Sequence, residues 1–234
     1  MEDIRLENLS KEGLEAFAEL AETVIGEVVF ILLEEGKISE EDEVSTIMDA
    51  VCNNDIYKQF VEDPCLSITY IDDLKSSIDL EIKHEYFHQA IVLAVMCIEH
   101  ILNGFFGRYL SYKLNMNDEQ INGILSSNNI NAKVGDLYYL TFRKEFPEKL
   151  RSNIQTLNRI RNKFVHYKYG IKDDEKDTYD YMSKMARTSK VTVNNLIDFI
   201  DKREKELYPN IIKNQKIMEK INFKNNIQYF DHQK

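Results

Sequence analysis

Arg161, Asn162 and His166 stand within one short run, Asn-Arg-Ile-Arg-Asn-Lys-Phe-Val-His-Tyr-Lys-Tyr-Gly from Asn158 to Gly170. Together they are a small kit for phosphate chemistry. Arginine is a permanently charged fork whose geometry matches phosphate oxygens. Histidine is the side chain whose ordinary pKa lets it give and take protons near neutral pH. An asparagine beside them can hold either partner in place through its amide.

Spacing restricts how these groups could cooperate. Arg161 and His166 are five residues apart, which on a straight helix is about 140° of rotation and ~7.5 Å of rise. They do not meet on one phosphate from a single straight helix. Asn162 and His166 are four apart and share a face. A helix that starts or bends here would satisfy the geometry, and so would a symmetric dimer that brings two copies of the run together. Bland readings exist for each residue. Arg161 lies on the edge of the apolar stripe Leu150, Ile154, Leu157 and Phe164, where a snorkelling side chain or a structural ion pair would also fit. His166 alone, with Tyr167, Lys168 and Tyr169 after it, reads as an ordinary helix-end histidine.

The elements that must carry this run are predicted to be helical. Hydrophobic residues make up 43% of 234, with 8 Gly and 3 Pro, so helix breakers are few and long helices follow. A first helix is predicted from after Ser10 to about Glu35, ended by Gly36, and Ser39-Glu-Glu-Asp42 reads as a capping box opening a second. The longest helix is predicted from about residue 80 to Leu114, apolar on all sides at Ala90–Ile98, with Gly104 and Gly107 allowing close packing. Asn117 with Gln120 caps a short helix through Leu125, Ser126–Asn131 is a polar loop, and Val134–Glu145 is helical. Pro147 opens the helix that carries the run, and a last long helix spans about Asp177 to Leu207, with one further short basic helix in the tail.

The net charge of -10 argues at first against a nucleic-acid partner. Its distribution weakens that argument, with a solvated basic face as the alternative reading of the segment. Between Arg143 and Lys172 there are nine basic residues and two acidic ones, a balance of +7 that leaves the rest of the chain at -17. Cys52, Cys65 and Cys97 form no Cys-x-x-Cys pair and fit reduced thiols in a cytoplasmic protein. The N-terminal residues lack a signal-peptide layout, and the longest apolar run, Ala90–Ile98, is nine residues against the ~20 a membrane span needs.

A second pattern competes for the function. His84-Glu85-Tyr86-Phe87-His88 is a literal His-Glu-x-x-His on a predicted helix, the arrangement with which a zinc peptidase binds its ion from one helical turn. Its third ligand is the difficulty. Glu99 shares a face with His88, but eleven residues of helix place it about 16 Å away.

The spacing Arg161-Asn162-x-x-x-His166, with Phe164 and Val165 just before the histidine, resembles the signature of the HEPN superfamily, all-helical domains many of which are metal-independent RNases. The resemblance spans roughly Leu80 to Leu207. It implies an up-and-down helical bundle, with residues 79–208 as the HEPN-like domain; residues 1–78, read as an N-terminal helical extension, and 209–234, read as a basic C-terminal tail, lie outside what the resemblance explains. It further implies a homodimer, no metal or cofactor, and RNA cleavage through the 2′-hydroxyl, leaving a 2′,3′-cyclic phosphate and a 5′-hydroxyl. His166 would be the general acid or base, Arg161 the stabiliser of phosphate charge and Asn162 the orienting group. Glu99, which interrupts the apolar helix, would be auxiliary, with Arg161 as its candidate partner. Arg159, Lys163, Tyr167 and Lys168 would contact RNA. The physiological role implied is that of a toxin or antiphage effector held by an antitoxin or other regulatory partner. In one toxin branch a tyrosine stands two positions after the histidine; here that position is Lys168. A non-catalytic RNA- or protein-binding module of the same fold is the alternative.

Overall fold

Every regular element among the described residues is a helix. The computed structural model describes residues 11–62, 71–165 and 178–221. They divide into two units, one of residues 11–62 with 204–221 and the other of residues 71–203.

In the first unit, α1 (Lys11–Glu34) is followed by α2 (Val44–Cys52) and α3 (Asp55–Glu62), and α11 (Asn210–Ile221) returns to the same core. Ala21, Ile25, Val28, Val29 and Leu32 of α1 form one buried stripe with Ile47 and Val51 of α2 and Ile217 and Ile221 of α11. Gly36, at φ +68, ends α1: its N–H donates to the Leu33 carbonyl at 3.1 Å and that of Lys37 to Leu32 at 2.9 Å. This is the left-handed closure that glycine adopts without steric penalty. The expected capping box closes a turn instead of opening a helix. The Ser39 N–H donates to the Asp42 carboxylate at 2.7 Å, and α2 begins at Val44 behind Glu43, which makes no side-chain cap.

The second unit holds α4 (Ile71–Lys83), α5 (Phe87–Leu114), α6 (Asp118–Ser127), α7 (Ile130–Lys133), α8 (Asp136–Phe142), α9 (Glu148–Val165) and α10 (Tyr179–Leu207) up to Arg203. The expected boundary at 78/79 and the expected separate tail from 209 differ from this division. Here α4 pairs with α5, with Ile78 buried, and α11 completes the core of α1. The Asn117–Gln120 capping box forms with both of its hydrogen bonds, 3.0 and 3.1 Å. The expected Ser126–Asn131 loop is shorter, because the Asn129 side chain accepts from the Ala132 N–H at 3.0 Å and starts α7. Gly135 separates α7 from α8, so the expected single helix over Val134–Glu145 is two elements. A Cβ at Gly135 would lie 3.0 Å from the Asn131 carbonyl oxygen, so the close approach of the two short helices depends on this glycine.

The predicted long helix starting near residue 80 is broken. α4 stops at Lys83, Glu85 takes a left-handed conformation at φ 63, and α5 starts at Phe87. Hydrogen bonds from the Glu85 N–H to Ile82 at 3.2 Å and from Tyr86 to Glu81 at 2.9 Å close α4 as Gly36 closes α1. A residue with a Cβ in that conformation costs about 1 kcal/mol. Glu85→Gly should therefore be more stable than Glu85→Ala by about 1 kcal/mol in urea denaturation; equal midpoints would remove the assigned strain.

α5 is the central helix of this unit. Ala90, Ile91, Ala94, Val95, Cys97 and Ile98 are buried, whereas Met96 is exposed, so the segment is not apolar-packed on every side. α5 is long and apolar enough to cross a membrane by length and composition, a criterion that mostly buried core helices also meet. Gly107 faces Ile121 of α6 at ordinary contact distance, 4.0 Å from where a Cβ would sit, so close packing does not demand glycine there. At the C-terminal end of α5, Phe105, Phe106 and Tyr109 meet Phe142 with ring centroids 4.7–5.9 Å apart, and the Arg203 guanidinium lies 5.6 Å from the centre of the Phe142 ring.

Candidate functional site

α9 follows Pro147, whose carbonyl accepts from Arg151 at 2.9 Å. Leu150, Ile154 and Leu157 make its buried stripe, as their spacing predicts. Phe164 does not continue it: the ring is 45% exposed and stacks on His88 at 4.9 Å. The stripe is continued instead by Asn158, which is buried. Contacts of Phe164 with His88 and of Arg161 with Glu99 show that α9 runs antiparallel to α5.

Helical spacing then assembles a polar groove. Asn158, Arg161 and Asn162 stand three and four residues apart on one face of α9, and Glu99 and Asn103 stand four apart on α5. α7 adds Asn131 and Lys133, and the end of α6 forms the rim. The groove encloses about 930 Å³, the upper part of the range of about 300–1,000 Å³ common to small-ligand sites.

The groove is organised by one carboxylate shared between two cations. Glu99 Oε2 lies 3.6 Å from Arg161 Nη2, and Glu99 Oε1 lies 3.5 Å from Lys133 Nζ. Lys133 is 2% exposed, whereas the Glu99 side chain is 36% exposed. The ion group carries one net positive charge on the floor of the groove. Arg161 Nη1 also donates to Asn162 Oδ1 at 2.9 Å, so the guanidinium is held from two sides. Asn158 Nδ2 reaches Asn131 Oδ1 at 3.4 Å. Asn103 Oδ1 is buried with no hydrogen-bond partner among the described residues. Such an arrangement can hold an anion against Arg161 and Lys133 while carboxamides orient what is attached to it.

The structure thus brings together Glu99, Arg161 and Asn162 of the sequence-predicted site. Arg159 is exposed and Lys163 half-buried, and neither lines the groove. His166, Tyr167 and Lys168 lie outside the described residues, as does Cys65. Lys133 was missed from sequence. Its signal was its position three after Ile130 and next to Val134, both buried, which turns a lysine inward in a turn otherwise read as a polar loop.

The His-Glu-x-x-His pattern does not form a helical pair. It straddles the α4–α5 junction, with His84 against Tyr86 at 6.1 Å and His88 against Phe164. The left-handed Glu85 removes the single helical turn from which both imidazoles would reach one zinc ion. Among the described residues no three or more His, Cys, Asp or Glu side chains gather as a metal site requires.

Comparisons with protein-family models, with curated proteins and with solved structures find no match to this chain.

Proposed function

We propose that the chain is a metal-independent, HEPN-type endoribonuclease that works as a homodimer in a toxin or antiphage role. The observation that carries this reading is the convergence of Arg161, Lys133 and Asn162 around Glu99 in one polar groove, at the end of the helix that leads into His166. Arg161 and Lys133 supply the positive field for a phosphodiester. Glu99 holds both cations in place through its two oxygens, and Lys133 takes part of its charge, so Arg161 keeps fork donors for a phosphate oxygen. His166 takes the proton of the 2′-hydroxyl, and His166 of the second copy in the homodimer gives one to the leaving 5′-oxygen. The attacking 2′-oxygen forms the new bond to phosphorus as the bond to the 5′-oxygen breaks, and no water enters that step.

A non-catalytic RNA-binding module is the second reading, favoured by the engagement of Arg161 by both Glu99 and Asn162. One experiment separates the two. RNA incubated with the purified chain in EDTA should be cut to fragments ending in 2′,3′-cyclic phosphate, and His166→Ala should lose the activity with an unchanged melting temperature. RNA that is bound but left whole by the natural chain would select the second reading.

A further inference from the structure

The carboxamide wall of the groove has a chemistry that phosphate binding does not use. Asn158 and Asn131 spend one amide group each on the other, at 3.4 Å. That leaves an acceptor on Asn158 and donors on Asn131 side by side. Asn103 adds a buried acceptor without a partner among the described residues. Leu125 and the buried Ile130 line the same groove and give it an apolar surface. Carboxamides carry no net charge, so they add little attraction for a polyanion. They do present paired donors and acceptors of the kind that discriminate nucleobase edges. In single-stranded RNA those edges are free to be read while the face of the base rests on an apolar surface.

We infer that the groove receives one unpaired nucleotide next to the bond to be cut, with its phosphate on Arg161 in the field of the buried Lys133 and its base read by Asn103, Asn131 and Asn158. The inference rests on the ribonuclease reading for the identity of the ligand and adds base selectivity to it. Lys133 and Arg161 contribute equally to every nucleotide, because phosphate contacts carry no sequence information. The amides contribute differently to each base.

The test is calorimetric titration of the full-length chain, in EDTA, with the 3′-monophosphates of adenosine, cytidine, guanosine and uridine and with inorganic phosphate. One nucleotide should bind at least about tenfold more tightly than the weakest of the other three and than phosphate, the discrimination expected of one good paired contact. Lys133→Met should weaken all four by a similar factor. Asn158→Ala should bring the four within about threefold of one another. Because Asn158 is buried, the exposed Asn131 provides an independent variant, Asn131→Ala, and melting curves identify any variant that has not folded. Four nucleotides binding within threefold of one another in the natural chain would overturn the inference, as would a preference that survives both asparagine variants. A clear base preference without RNA cleavage would sink the ribonuclease reading and leave the nucleotide site standing. Cleavage with four equal affinities would do the reverse.

Discussion

Glu99→Ala is expected to lower the free energy of unfolding by about 3 kcal/mol, far more than the loss of a half-exposed carboxylate would suggest. The reason lies with what remains. Lys133 is 2% exposed, and the Glu99 carboxylate is its salt-bridge partner at 3.5 Å. Without it a buried ammonium sits beside the Arg161 guanidinium with no compensating charge. Stranding one member of a buried pair typically costs about 3–5 kcal/mol, and partial solvent access around Glu99 places this case at the lower end. Replacing both partners removes the difficulty, since methionine keeps most of the aliphatic stem of lysine without its charge. Glu99→Ala combined with Lys133→Met should recover roughly 2 kcal/mol of the loss, and that coupling is what a double-mutant cycle measures. Urea denaturation of the four proteins provides the check. A cost below 1 kcal/mol for Glu99→Ala, or no coupling, would mean that Lys133 does not depend on Glu99.

Arg161→Ala has the opposite profile: a small effect on stability and a large one on reaction rate. Its side chain is 25% exposed, and when it is removed Glu99 keeps Lys133 as a partner. The loss in stability should stay near 1 kcal/mol. Under the ribonuclease reading, however, the donor aimed at phosphate charge disappears, and removal of one such donor costs about 10²–10³ in rate. Arg161→Lys should restore less than tenfold of this, because a point charge does not reproduce the planar fork. Single-turnover cleavage of a labelled RNA in EDTA gives the comparison. Rates for Arg161→Ala within threefold of the natural chain would take Arg161 out of the reaction.

The helical class was legible from scarce Gly and Pro and from apolar spacing, and so was much of α1, α9 and α10. The Glu99–Arg161 pair was also visible, because an acid interrupting an apolar helix and a guanidinium on the edge of another apolar stripe each need a partner. The break at Glu85 was not. Left-handed closures are read from glycine or asparagine, and here a glutamate occupies the position, held by backbone hydrogen bonds that follow from tertiary context. The same limit hid Lys133. Lysine is ordinarily a surface residue, and only the tight turn between α7 and α8 at Gly135, together with the carboxylate from α5, turns it inward. The polar row of the groove was present in sequence as Glu99/Asn103 and Asn158/Arg161/Asn162. Its meaning depended on which faces of α5 and α9 meet.

α1 and α11 share a core although Glu34 and Asn210, which are hydrogen-bonded, are 176 residues apart. During synthesis at about 5–20 residues per second, the apolar stripe of α1 therefore waits roughly 10–35 s before its covering helix emerges. For that interval Ile25, Val28, Val29 and Leu32 lack the side chains of Ile217 and Ile221 that bury them in the finished protein. A nascent chain of this order offers a chaperone a long-lived binding stretch in α1, and a message broken before the codon for Asn210 yields a product that never closes it.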